Sequence, residues 1–211
     1  MNVVILGGHG QIGLRLEKLL AARGDSPRGI IRKTEQAADL EEIGAEPIVL
    51  DIENVDDISD GLAGADAVVF AAGAGPGSGP GRKRTVDYGG VVKLVEGSLA
   101  KGIRRYVQVS SIGSNHPDNW SEQMRPYYEA KAEGDKVLRE SGLDYTIIRP
   151  GGLTDDPGTG RVQVGDLEYG QVTRDDVAAV IAECLSAEST IGKEFDLLNG
   201  DESIADALRS L

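Results

Sequence analysis

Runs of four or five apolar residues alternate along this chain with stretches whose apolar positions recur every three or four residues. Residues 2–6 predict a strand buried on both faces. Residues 11–23 predict a helix, with Ile12, Leu16, Leu19 and Leu20 on one stripe and Gly24 as its stop. The same reading predicts strands over 28–32, 46–50, 65–71, 105–109, 144–149 and 193–197. It predicts helices over 35–43, 55–62, 85–101, 125–141 and 174–185. Strict alternation with uniformly apolar strands argues an α/β fold: a doubly wound parallel sheet with right-handed crossovers, in one domain over 1–211 with a small C-terminal extension. Such a sheet takes ligands beyond the carboxyl ends of its strands, where the strand order reverses.

Composition sharpens this in two places. The 211 residues include 29 glycines, about twice the usual share of ~7%, so many tight turns are expected. The net charge of −13 opposes phosphate backbones and anionic lipid, so neither nucleic acid nor a membrane is an expected partner. One cysteine, Cys184, and two histidines, His9 and His116, offer neither a disulfide nor a multi-thiolate metal site, and no metal is expected. Cys184 falls on an apolar stripe and reads as core. No secretory leader precedes the first strand, and no apolar run approaches the ~18 residues of a membrane span. The expectation is a cytoplasmic monomer or small homo-oligomer acting on a small molecule.

The candidate chemistry lies at the predicted strand ends. Gly7-Gly8-His9-Gly10-Gln11-Ile12-Gly13 sits between the first strand and the first helix. Glycines there permit a tight turn, close approach of backbone to a pyrophosphate, and close helix–strand packing. Free N–H groups at the helix start favour phosphate. Where a ribose 2′-OH is usually held by an acid, the second strand ends in Arg32 and Lys33. Those cations suit a 2′-phosphate, favouring NADP over NAD; they also suit solvent. Asp51, before Ile52, either accepts from an adenine amino group or caps the following turn. Residues 73–81, rich in Gly and Pro, form either a flexible loop or a lid over a cofactor. In Tyr127-Tyr128-Glu129-Ala130-Lys131, the i and i+4 positions share a helix face. A phenol titrating near ~10 is a poor acid at neutral pH, and a nearby ammonium favours the phenolate. Val109-Ser110-Ser111 ends the fifth strand at the same sheet edge.

Together with Phe70-Ala71-Ala72-Gly73, Val86-Asp87-Tyr88, Ile148-Arg149-Pro150-Gly151 and Thr173-Arg174-Asp175-Asp176-Val177, these motifs resemble the short-chain dehydrogenase/reductase superfamily. The resemblance is to its atypical, NAD(P)-binding, epimerase-like branch, and covers essentially the whole chain. It implies a Rossmann fold, with Ser111 as catalytic serine, Tyr127 as acid/base and Lys131 as the lysine that holds the nicotinamide ribose. Pro150, Gly151, Gly152 and Leu153 would lie against the nicotinamide. Ala71, Ala72, Gly73 and Ser110 would contribute to the cofactor site. Where the family has an asparagine, this chain has Asp87, whose charge near Tyr127 opposes a phenolate. About 60 residues follow the sixth strand, too few for a full substrate lobe like that of a sugar-nucleotide epimerase. The substrate cleft is therefore expected mainly from 112–124 and 151–211. Trp120 would stack on a substrate or anchor its own loop. Three functions follow: an NADP-dependent oxidoreductase acting on a small carbonyl-type substrate, a dinucleotide-binding sensor or assembly protein with little turnover, or an epimerase- or dehydratase-like enzyme.

Overall fold

A computed structural model describes residues 1–75 and 77–211; Pro76, inside the 73–81 stretch, lies outside the described residues. Among these, the main sheet has nine strands in the order β11-β8-β10-β6-β5-β4-β1-β2-β3. The parallel body comprises β1 (Asn2–Leu6), β2 (Ser26–Ile31), β3 (Glu46–Val49), β4 (Ala67–Phe70), β5 (Arg105–Val109), β6 (Asp144–Pro150) and β10 (Lys193–Asn199). The order 3-2-1-4-5-6 is that of a Rossmann fold, and its reversal falls between β1 and β4. Val3 to Leu6 and all of β4 are buried, as strands covered on both faces must be.

Helices α1 (Gln11–Ala22), α6 (Arg174–Cys184) and α7 (Ile204–Arg209) cover one face over a core that includes Val3, Ile5, Leu16, Ile181 and Phe195. Helices α4 (Gly89–Lys101) and α5 (Arg125–Glu140) cover the other, over Val4, Leu6, Phe70, Leu94 and Leu138. Short α2 (Ala37–Glu42) seats Leu40 against Ile31 and Ala45 at the sheet's edge. α1 stops as expected at Gly24, whose φ is +83°. Gly24 N–H donates to Ala21 O at 3.0 Å and Asp25 N–H to Leu20 O at 3.0 Å, the paired bonds of a glycine-closed helix end.

One residue of α1 departs from its amphipathic pattern. Glu17 is fully buried, and among the described residues neither carboxyl oxygen has a hydrogen-bond partner. Burial pushes its carboxyl up to about 8. The carboxyl fills space left by two glycines: an added Cβ at Gly8 would lie 2.6 Å from Oε1, and one at Gly29 2.3 Å.

Several boundaries differ from the sequence reading. Residues 55–62 form no α-helix; only a 3₁₀ turn occupies Ser59–Leu62. The Asp57 carboxylate accepts from Ser59 N–H at 2.7 Å and from Ser59 Oγ at 3.0 Å, and such local bonds compete with helix. The helix expected at 85 begins earlier, as α3 (Pro80–Arg82), passes through a π-helical stretch over Lys83–Tyr88, and continues as α4. Pro80 suits a first helical turn. β2 ends at Ile31, so Arg32 lies just past it. The small C-terminal extension adds strands to the main sheet. β8 (Arg161–Gly165) pairs antiparallel with β10, and β11 (Glu202–Ser203) with β8. β7 (Gly152–Thr154) and β9 (Gln171–Thr173) form a separate parallel pair. Among the described residues no helix is long and apolar enough to cross a membrane.

Candidate functional site

Two cavities open beyond the carboxyl ends of the parallel strands. The smaller, about 250 Å³, lies at the β1/β4 reversal. Its wall is the glycine turn. Gly7 has φ +102°, and a Cβ there would come within 2.7 Å of Ala72 N. Gly10 N–H closes the turn on Gly7 O at 2.8 Å. Gly13 packs α1 onto the turn, since a Cβ would sit 2.3 Å from Gly7 O. Gly10 is the least crowded of the three: a Cβ there would lie 3.0 Å from Gly7 O and 3.8 Å from Ala71 O. It caps α1 with no side chain, and the first turn carries no acid. Among the described residues, the N–H groups of Gln11, Ile12 and Gly13 thus have no side-chain partner, as an anion at a helix start requires.

Ile52, Ala71, Ala72 and Gly73 line the same cavity, and so does Arg32. Three further lining residues, His9, Gln36 and Arg82, escaped the sequence reading. Gln36 bridges the two sides. Its Nε2 lies 2.9 Å from His9 Nδ1, and its Oε1 accepts from the N–H of Arg32 (3.2 Å) and Lys33 (3.1 Å). His9 Nε2 in turn lies 2.6 Å from Asp39 Oδ2. Arg82 is held by Glu53, with Nη2 to Oε2 at 2.7 Å. Bonds from Arg82 and then Thr85 hold the Glu53 carboxyl below its usual range. Asp51 caps its turn, accepting from Glu53 N–H at 3.0 Å and Asn54 Nδ2 at 2.8 Å. Neither Asp51 nor exposed Lys33 lines the cavity, and the Gln11 side chain is engaged with Arg15 at 2.8 Å.

Lys131 is buried behind this cavity. Its Nζ donates to Val109 O at 3.2 Å, pairs with Asp87 Oδ1 at 3.4 Å, and lies 5.9 Å from the centre of the Tyr127 ring. Burial opposes its charge, but Tyr127, Asp87 and Asp135 outweigh that and raise the lysine above its ordinary value. The sequence reading set Asp87 against Tyr127; the structure pairs it with Lys131, so its charge is balanced locally. Its other oxygen accepts from Ala74 N–H at 3.2 Å, tying down the start of the 73–81 stretch.

The two serines after β5 diverge. Ser110 is buried, its hydroxyl bonded to Asp135 at 2.9 Å, so its side chain is not offered to a ligand as expected. Ser111 is half-buried, and among the described residues its hydroxyl meets only Ile112 O at 3.5 Å, the outer limit of a hydrogen bond. Asp135, also missed, organises the floor by accepting from Gln108 Nε2 at 2.6 Å and facing Arg149 Nε at 3.4 Å. Pro150, Gly151, Gly152 and Leu153 line neither cavity. Gly151 is confined by packing: a Cβ would lie 2.4 Å from Gly170 O.

The larger cavity, about 530 Å³, begins where Ser111 ends. Ile112, Gly113, His116 and Trp120 come from one loop and Asp166 to Tyr169 from another, with Tyr128 between. Trp120 anchors its loop through Nε1–H to Gly113 O at 2.8 Å, and its ring stacks on Tyr128 with centroids 5.8 Å apart. Burial pushes the Tyr128 phenol up. Cys184 is core, its thiol pushed by burial up to about 12.

The fold and the glycine turn define a dinucleotide-binding protein, and comparison with known proteins agrees. Residues 7–188 match the NAD(P)H-binding family model. The chain belongs to this family, within the atypical branch of the short-chain dehydrogenases/reductases. It is 43% identical to an uncharacterized sugar epimerase, YhfK, of Bacillus subtilis, with all of both chains covered. A putative NAD-dependent epimerase/dehydratase from Bacillus halodurans superposes with a TM-score of 0.95 at 40% identity, covering all of both chains. The oxidoreductase ylbE from Lactococcus lactis gives a TM-score of 0.90 at 31% identity, covering all of this chain and 96% of that one. The uncapped helix start and the backbone-walled cradle at Gly7, Gly10 and Gly13 fit the dinucleotide that the family binds.

Proposed function

We propose that the protein is an NADP-dependent oxidoreductase whose substrate enters the larger cavity. The observation that carries this reading is the position of Lys131, buried and charged, with its Nζ 5.9 Å from the Tyr127 ring centre. When bound, the dinucleotide supplies or accepts the hydride. The N–H groups of Gln11 to Gly13 hold its phosphates, and Arg32 meets a 2′-phosphate. Lys131 holds the nicotinamide ribose, with its ammonium beside the Tyr127 ring. Ser111, with its hydroxyl nearly unengaged, orients a substrate oxygen, and Tyr127 gives it the proton.

The test is NADPH consumption against a panel of small aldehydes, ketones and quinones. Tyr127→Phe keeps NADPH affinity and loses about 10²–10⁴-fold in turnover; undiminished turnover refutes the mechanism. A second reading, a dinucleotide-binding sensor with little turnover, is favoured by the Asp87–Lys131 ion pair, which commits part of the lysine's charge. NADPH that binds but is consumed with no acceptor selects that reading.

A further inference from the structure

The two cavities differ in charge. Arg32 and Arg82 line the smaller one, whereas the larger is lined by Asp166 and Glu168 and, among the described residues, by no lysine or arginine. Arg125, 6.0 Å from the Trp120 ring, lies 4.0 Å from Glu129. His116 Nε2 lies 3.7 Å from Asp166 Oδ1, and among the described residues Glu168 accepts no hydrogen bond. The walls are aromatic. Trp120 and Tyr128 stack within 19° of parallel, and Tyr169, on the loop that carries both acids, leaves 74% of its surface exposed. A volume of about 530 Å³ falls within the roughly 300–1,000 Å³ of small-molecule sites.

Resting on the oxidoreductase reading, we propose that the larger cavity takes a planar aromatic heterocycle bearing a positive charge. A flat ring continues the Trp120–Tyr128 stack, and a cation gains from both the ring faces and the two carboxylates. A sugar offers no flat face, and an anion of the same shape meets Asp166 and Glu168 with like charge.

Trp120 is the single tryptophan of the chain, so its fluorescence reports occupancy of this cavity without turnover. The full chain is titrated at pH 8 with N-methylacridinium, with acridine as its neutral counterpart and with acridine-9-carboxylate as the anion. Calorimetry provides the second readout. N-methylacridinium is expected to quench Trp120 and to bind at least fivefold tighter than acridine, with the anion weakest. The preference shrinks in 0.5 M salt and in the Asp166→Asn, Glu168→Gln double variant, which leaves only the share owed to the ring faces. Tyr169→Ala weakens all three rings, the cation at least as much as the neutral ring. Equal or tighter binding of the anion, a cation preference undiminished in the double variant, or no binding of any ring overturns the proposal. NADP⁺ binding, measured on the same samples, separates the two readings. Acridinium binding without NADP⁺ binding removes the oxidoreductase and leaves the cavity's charge selection standing. NADP⁺ binding without acridinium binding does the reverse.

Discussion

The smaller cavity has a main-chain wall at the glycine turn, whereas the larger is lined by side chains from two loops and the start of α5. In the first, Gly7, Gly13 and Ala72 approach so closely that a single Cβ would collide with backbone. Its shape is set by the sheet and by the start of α1, and its ligands are N–H groups that every residue except proline carries. In the second, Trp120, Tyr128, Asp166 and Tyr169 define the walls, and each can be exchanged without disturbing a strand. A scaffold divided in this way retains one cofactor while its substrate changes by substitution in two loops.

The largest effect expected on this contrast comes from Gly10→Val. A Cβ at Gly10, a residue that lines the cavity, would stand 3.0 Å from Gly7 O and 3.8 Å from Ala71 O, so a valine is expected to occupy phosphate space while the fold survives. Dinucleotide affinity should fall more than 100-fold, with the circular dichroism and the ligand-induced quenching of Trp120 unchanged. Gly13 is a poorer probe, because its Cβ would strike backbone at 2.3 Å. Normal NADPH binding in Gly10→Val would place the phosphates elsewhere.

A smaller effect is expected from Arg32→Ala with Lys33→Ala. A charge-assisted bond to the 2′-phosphate is worth about 1.5–3 kcal/mol. The double variant should therefore lose roughly tenfold or more in NADPH affinity with little change for NADH. Calorimetry giving equal NADPH and NADH affinities for the unmodified protein would remove the basis for the preference.

The smallest effect concerns what lies beneath the glycine turn. Glu17 has its carboxyl raised from 4.5 to about 8, so the folded state binds its proton more tightly than the unfolded state does. Its destabilising contribution is absent below the unfolded value, grows as pH rises from 4.5 to about 8, and is complete above that. Glu17→Gln keeps the shape without the charge. Its melting temperature should exceed that of the unmodified protein by a few degrees at pH 9, and by less at pH 5. An advantage that does not grow with pH would mean that the carboxyl is neutral throughout or solvated.

The contrast also explains what could be read in advance. The parallel body was legible because strands covered on both faces are continuous apolar runs, as in Val3 to Leu6. The glycine turn was legible because its constraint is local, within seven residues. β7 and β9 have three residues each, too few to show any period. β8 did carry a signal, the alternation of Val162 and Val164, but polar neighbours at an antiparallel edge diluted it. Val55, Ile58 and Leu62 fall at helical spacing and misled, because the competing bonds from Asp57 leave no hydrophobic trace. Gln36, Arg82 and Asp135 could not be found from spacing. Gln36 meets His9 across 27 positions, Arg82 meets Glu53 across 29, and Asp135 meets Gln108 across 27. Only the crossovers of the sheet bring these pairs together.

The triangle of Gly8, Glu17 and Gly29 also restricts where the sequence can drift. A Cβ at Gly29 would meet only side chains within 3 Å, Glu17 Oε1 at 2.3 Å and Leu40 Cδ2 at 2.4 Å, whereas one at Gly8 would also meet the Gly29 Cα at 2.6 Å. Position 29 therefore admits alanine where the ends of the Glu17 and Leu40 side chains shift or shorten and the Gly8 Cα, 3.1 Å away, gives slightly. Position 8 stays closed along every such route. Homologous chains with alanine at position 29 should more often carry smaller residues at 17 or 40 than chains with glycine there.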